Sequence, residues 1–251
     1  MHAHIETLVI LWLGVLLQTS AASELPSDSP AERALQFFAA LPMTTIEAVF
    51  QSLRPEPISA QHKERALRML PLEGELVPTT DEATKLGTLQ RVLIYHKREG
   101  VFEVKVVDVP EAAVVLYSRS IVLVSRPALR LLSALELQTV VAHEIGHEYF
   151  WDQQLHVRDG RPANARRELE LRCDAIAILT LLKLDLDPTL VVSSALKLTR
   201  FNERLGMRFD AELYPTVPER EQFTRAILNL VRSRTLAADA ARNLAMLMVR
   251  R

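Results

Sequence analysis

The chain has a single cysteine, Cys173, in 251 residues. No disulfide can form within it, and no all-cysteine zinc site can be built. It also lacks a dominant charge: 30 Lys and Arg face 31 Asp and Glu, a net charge of −1. That balance leaves no electrostatic footprint for nucleic acid. Arg158, Arg161, Arg166, Arg167 and Arg172 do cluster, but Asp159, Glu168, Glu170 and Asp174 are interleaved with them, which describes a solvated mixed-charge surface. Histidine is scarce as well. The seven are His2, His4, His62, His96, His143, His147 and His156, so few residues are available to complete an imidazole-based metal site.

Long hydrophobic runs are missing. The apolar run at residues 8–17, LVILWLGVLL, would be about 15 Å long as a helix, roughly half of a bilayer core. Small residues follow at Ser20, Ala21, Ala22 and Ser23. The pattern predicts a signal peptide over 1–22 cleaved after Ala22, although Lys and Arg are absent from its head. The expected destination is therefore periplasmic or extracellular, with membrane anchoring through an uncleaved N-terminal segment as the alternative. Peripheral membrane association is left open.

What is present is an ordinary globular composition, 49% hydrophobic and 24% charged, with enough apolar mass for a substantial core. We expect a linker and helical segment over 23–85 and one main domain over 86–251. Helical spacing runs through 31–53, divided at Pro42 with Thr44 or Thr45 as cap. Another helix is expected over 61–70 and a loop over 71–80. His62 in that region reads as an ordinary surface histidine. The runs 89–96 and 101–107, rich in β-branched and aromatic residues, predict a hairpin turned at 97–100. Two further strands are expected over 112–117 and 120–125, turned at Ser118-Arg119. A helix should follow from Pro127 to Leu135.

The most informative stretch is His143-Glu144-Ile145-Gly146-His147. It follows the apolar or uncharged residues 137–142 and reads as a buried helix. His143 and His147, four apart, lie on one face a turn apart and can reach one metal ion. Glu144 can approach a metal-activated water without being a ligand. In that role it acts as a general base.

A third ligand is needed. Completion by a histidine six residues after His147 is excluded, because position 153 is Gln, and position 150 is Phe where glycine would be needed. His156 is a weak candidate in a polar loop. The better solution is the helix over 167–184, where Glu170 and Asp174 are four apart beside an apolar face. Glu170 supplies the third ligand, and Asp174 accepts the other ring N–H of a ligating histidine. The bland alternative is an ion-pair face with Arg167 or Arg172. Glu168 is the rival ligand but cannot share the face with Asp174. Cys173 should point away from Glu170 and reads as a small buried residue. Ile121–Val124 is the strand expected to line a cleft for an extended peptide.

A strand, a helix, His-Glu-x-x-His and then Glu-x-x-x-Asp opening an apolar helix resembles the HtpX and CAAX prenyl protease group of zinc endopeptidases. The lead-in 121–129, the run 135–143 and Glu170-Leu-Arg-Cys-Asp174 carry the resemblance. Tyr214-Pro-Thr-Val-Pro-Glu-Arg220 is similar to the group's His-Pro-Ser-x-x-x-Arg stretch. The likeness covers about residues 112–230. It implies an α+β, predominantly helical zincin-like (gluzincin) domain with a small sheet beside the active-site helix. It also implies one Zn2+ held by His143, His147 and Glu170, and hydrolysis of protein or peptide substrates with Glu144 as base. Two positions depart from the group: Cys173 stands for Ala, and Tyr214 for His. A phenol at 214 could still donate to a developing oxyanion, which adds Tyr214 to the catalytic set. Two other readings compete. One is a non-catalytic peptide-binding or chaperone-like protein on a peptidase scaffold; the other is an enzyme held latent by its N-terminal helices. The C-terminal part is expected to be helical, over 189–205, 219–233 and 236–251, the last a packed terminal helix.

Overall fold

The computed structural model describes residues 28–41, 45–70, 75–98, 100–158, 163–207 and 210–249, with side chains described up to 235, except at 75 and 158, and at 237. The expected signal peptide lies outside the described residues. The fold is α+β and predominantly helical, with a small sheet. No helix among the described residues is long and apolar enough to cross a membrane.

Local sequence sets most of the helix starts. Helices α1 (Pro30–Ala40), α2 (Ile46–Ser52) and α3 (Ala60–Met69) each begin behind a hydroxyl cap: Ser29, Thr45 and Ser59. The hydroxyl oxygen accepts an otherwise unpaired amide of the first turn. Strand β1 (Glu75–Leu76) occupies part of the expected loop. Helix α4 (Thr80–Gly87) opens with a reciprocal capping box between Thr79 and Glu82.

The stretch 89–96, expected as a strand, is instead helix α5 (Gln90–Tyr95). Leu89, Val92, Leu93 and His96 are buried while Ile94 is exposed. That i, i+3, i+4, i+7 spacing is a helical face, and its burial outweighs the β propensity of the individual residues. The expected 97–100 hairpin is therefore absent. Strand β2 (Glu103–Val107) finds other partners: β1 antiparallel on one side and β4 (Ile121–Ser125) parallel on the other.

Strand β3 (Val114–Tyr117) pairs antiparallel with β4, and the sheet order is β1-β2-β4-β3. Ser118 and Arg119 turn the hairpin with φ of 48° and 61°, as expected for a tight connection between twisted strands. This order corrects the cleft strand. Ile121–Val124 belongs to β4, which has a neighbour on both sides, so no peptide can add to it. The edge of the sheet on this side is β3, where Val115 is half exposed.

Helix α6 (Arg126–Leu131) stops four residues short of the expected Leu135. A new helix, α7 (Ala134–Tyr149), starts behind Ser133 with a second capping box, to Glu136. Then come α8 (Trp151–Arg158), α9 (Ala163–Lys183) and α10 (Leu190–Arg204). The expected last two helices form one, α11 (Val217–Val249).

Helix α9 runs through the middle of the molecule against α7 and α1. Leu171, Ala175, Ile176 and Ile178 are all fully buried. The approach of α7 and α9 depends on Gly146. A Cβ there would lie 2.8 Å from the Cys173 Cα, so no side chain fits between the two backbones. Side chains of α1 belong to the same apolar cluster: Ala34 and Phe38 are fully buried, and Phe37 and Phe38 meet Phe150 edge to face. Helix α1 is thus part of the wall of the core rather than a lid over it. Burying that much aromatic surface contributes several kcal/mol.

Candidate metal centre

Helix α7 presents His143, Glu144 and His147, and their ligand-type atoms all lie within 4.8 Å of one another. The helix can carry polar residues inward because Leu137, Val141, Ala142 and Ile145 are fully buried and fix its rotation. Across the close approach of Gly146 to Cys173, α9 brings Glu170 opposite the two imidazoles. One Glu170 oxygen is 3.3 Å from His143 Nε2, and the other is 3.9 Å from His147 Nε2. The Glu170 carboxylate thus faces both imidazoles, while Glu144 belongs to the same compact group on α7.

The backs of the rings are also held. His143 Nδ1 is 2.8 Å from an Asp174 carboxylate oxygen, to which it donates, and this leaves Nε2 as the nitrogen that faces the centre. Arg220 donates to both Asp174 oxygens. His147 Nδ1 rests 3.4 Å from Cys173 Sγ. Cys173 is fully buried, as the sequence suggested, and it touches His147 from behind rather than standing clear of the site. Burial, with the Glu170, Glu144 and Asp174 carboxylates behind it, raises the thiol well above its ordinary pKa. It is a neutral packing group here, not a thiolate ligand.

The electrostatics fit a cation. For Glu170, burial favours the neutral acid, yet His143, His147 and Arg220 together hold it down at about 2. For His143, burial opposes charge, but Asp174 and Glu170 outweigh it and hold the ring up to about 10. Two buried carboxylates therefore demand positive charge at this point, which a protonated ring or a metal ion can supply. The donor set of two imidazole nitrogens and a carboxylate suits Zn2+.

Glu144, in the same group on α7, has a separate backbone partner. One oxygen accepts the Leu116 backbone N–H at 2.8 Å, so edge strand β3 fixes the carboxylate. Burial raises Glu144 above the ordinary carboxylate range, against the pull of His147 and His143. A carboxylate of raised basicity beside two imidazoles is suited to taking a proton.

Tyr214 lines the same cleft, a space of about 170 Å³ that also exposes Val140, Val191 and Leu198. Arg166 donates to the Tyr214 phenol oxygen and stacks 4.7 Å from its ring centroid. Burial raises the Tyr214 pKa despite that guanidinium, so the phenol keeps its proton at neutral pH.

The other sequence candidates fall elsewhere. His156 is exposed and bonded to the Asp152 carbonyl. Glu168 is paired with Arg33 and Arg172. Arg167 goes to Glu219, so neither suggested arginine pairs with Glu170. His62 bonds the Ser118 carbonyl at 2.8 Å. Three contributors went unassigned in the sequence: the Leu116 amide, Arg166 and Arg220. Arg166 carried a signal, since it sits four residues before Glu170 on the same helical face. Arg220 closes the stretch that begins at Tyr214. The Leu116 amide gave none, because a backbone donor leaves no trace in residue identity.

No family model matches this chain, and no curated protein matches it either.

Proposed function

We propose that the chain is a zinc-dependent endopeptidase of zincin-like (gluzincin) type, related to the HtpX and CAAX prenyl protease group. The observation that carries the reading is the convergence of His143 Nε2, His147 Nε2 and the Glu170 carboxylate, with the outward nitrogen of His143 locked by Asp174. A Zn2+ ion bound by those three residues would act as a Lewis acid toward the peptide carbonyl and lower the pKa of a water to about 7.

The chain's own residues do the rest. Glu144 takes the proton of the attacking water on the oxygen not committed to Leu116. It then passes that proton to the leaving amine. Edge strand β3 offers its backbone to an extended substrate, which would lie antiparallel or parallel along it. Val140, Val191 and Leu198 favour an apolar side chain next to the scissile bond. Residues 1–22 act as an export signal in this reading, so the substrates are proteins or peptides outside the cytoplasm.

The test is Glu144→Gln. This variant keeps the shape and hydrogen-bond acceptance of the side chain but cannot take a proton. Cleavage of an internally quenched peptide library should fall by about 10²–10⁴-fold, with zinc still bound at one ion per chain. A variant that cleaves at the wild-type rate would sink the mechanism. A wild-type chain that binds zinc and peptide but cleaves nothing would leave a peptide-binding protein instead.

A further inference from the structure

Helix α9 meets the two imidazoles with a single face. Glu170, Cys173 and Asp174 stand at i, i+3 and i+4, the spacing that brings side chains together on a helix. Glu170 faces the Nε2 atoms of both rings. The two residues one turn on meet the backs of the rings. Asp174 is 2.8 Å from His143 Nδ1, and Cys173 Sγ is 3.4 Å from His147 Nδ1. Cys173 and His147 are both buried. The sulfur meets the ring as a neutral thiol.

A neutral imidazole has one N–H and one lone pair. When Nε2 gives its lone pair to a metal ion, Nδ1 carries the hydrogen. A buried N–H without an acceptor is costly. Among the described residues, Sγ is the hydrogen-bond partner of His147 Nδ1. A thiol sulfur is a weak acceptor, and it brings no charge. It can orient the ring without adding to the negative charge of Glu144, Glu170 and Asp174, which already line the site. Alanine, which the resembled group has at this position, offers no such atom.

We infer that Cys173 is a positioning residue for the metal centre: its Sγ accepts the Nδ1–H of His147 and holds that ring with Nε2 turned to the ion. The inference rests on the metal-dependent reading above. The two histidines are then held unequally, His143 by a carboxylate that Arg220 completes and His147 by a sulfur. A carboxylate raises the basicity of the ring it holds. Sulfur restrains the ring and adds little to its basicity, which leaves more of the ion's charge to polarise a carbonyl.

The competing account is that Cys173 only fills space where Gly146 brings α7 and α9 together. The two accounts predict opposite orders for Cys173→Ala and Cys173→Ser. Serine keeps an acceptor atom and alanine does not, whereas filling space favours alanine, because a poorly partnered buried hydroxyl is costly. Zinc affinity is read by competition with a chromophoric chelator, and fold stability by urea denaturation in excess chelator. Cys173→Ala should weaken zinc binding by about tenfold, and Cys173→Ser should recover part of that loss. The zinc-free stabilities should run the other way, with serine no better than alanine. Co2+-substituted wild type should show no sulfur-to-cobalt charge-transfer band, because Sγ stands behind the ring. One readout needs no variant: imidazole NMR of the zinc-loaded wild type should show an Nδ1–H on His147 that exchanges slowly with water.

Zinc binding no tighter in Cys173→Ser than in Cys173→Ala would overturn the inference. So would a His147 Nδ1–H in rapid exchange, or a sulfur-to-cobalt band, which would make Cys173 a ligand. A wild-type chain that binds no zinc would overturn the metal-dependent reading together with this one. Zinc bound equally well by wild type and Cys173→Ala would overturn this one alone.

Discussion

Gly146→Ala is the sharpest test of how the two functional helices are held together. In an isolated helix this change would stabilise by about 1 kcal/mol, because alanine is the better helix former. Here the added Cβ would sit 2.8 Å from Cys173 Cα, 2.9 Å from its Cβ and 3.1 Å from its carbonyl oxygen. Two of those atoms are backbone, so no rotamer change relieves the clash. Ordinary van der Waals distances begin at 3.4 Å, so α7 and α9 must part locally by about 0.6 Å. Overpacking of this kind costs about 1–3 kcal/mol, with the upper end expected where backbone meets backbone. The clash therefore wins, and the net effect is a loss of about 1–2 kcal/mol, or about 2–8 °C in Tm for a chain of this size. The site should suffer more than the fold. Metal–ligand distances tolerate about 0.2 Å, and the same displacement separates His143 and His147 from Glu170. Zinc affinity should fall by at least about tenfold. The assays are urea denaturation in chelator, which isolates the fold, and competitive zinc titration with a chromophoric chelator. Replacing Cys173 by Gly should not rescue Gly146→Ala, since the backbone at position 173 would still stand 2.8 Å from the new methyl group. A Gly146→Ala protein that is about 1 kcal/mol more stable, with unchanged zinc affinity, would refute the close-approach argument.

Two further perturbations probe the supports of the site and of the core. Asp174→Asn leaves a single amide oxygen to accept from both His143 Nδ1–H and Arg220, and removes the negative charge that faces them; zinc affinity should fall by about 10–100-fold, and an unchanged titration curve would show that the Asp174 carboxylate does not orient the ring. His96 tests pH dependence. Its Nδ1 faces the Tyr149 hydroxyl at 3.1 Å and its Nε2 faces Thr180 Oγ1 at 2.9 Å. Thr180 already donates to the Ile176 carbonyl, so Nε2 carries the hydrogen and Nδ1 accepts from Tyr149. Burial, reinforced by Arg98, pushes the ring down to about 3 from the usual 6.5. The unfolded chain therefore takes up this proton before the folded chain does. Stability should be insensitive to this group above about pH 6.5. It should then fall by up to about 1.4 kcal/mol per pH unit down to about pH 3. Urea midpoints across that range should be flatter for His96→Asn, at the cost of some stability at neutral pH; an equally steep fall in the variant would assign the slope to other groups.

How much of this is legible in the sequence depends on the kind of information each feature carries. The helix starts are readable because a cap is a local event: Thr45 precedes an apolar periodic run, and its hydroxyl acts three residues later. The His143–Glu144–His147 face and the Glu170–Asp174 pair are readable because helical geometry converts spacing directly into proximity. The Ser118-Arg119 turn is readable from the runs on either side of it. The stretch 89–96 misleads when residue types are weighed over their spacing. Leu89, Val92, Leu93 and His96 already describe one face of a helix, and that face is the one buried.

The cleft strand is a different kind of error. Ile121–Val124 is the more hydrophobic run, and that is what places it inside the sheet, where both of its edges are used. A strand that receives a peptide needs a free edge, and β3 is paired on one side only. Hydrophobicity is thus an argument against the strand it seems to favour. Sheet order is a long-range property, and a short apolar run does not specify its neighbours. The same holds at Gly146. As a residue in a helix it looks like a weak point, worth about 1 kcal/mol less than alanine. Only the partner helix shows that its missing Cβ is the space in which Cys173 sits, and that this space lets α9 deliver Glu170 to the two histidines.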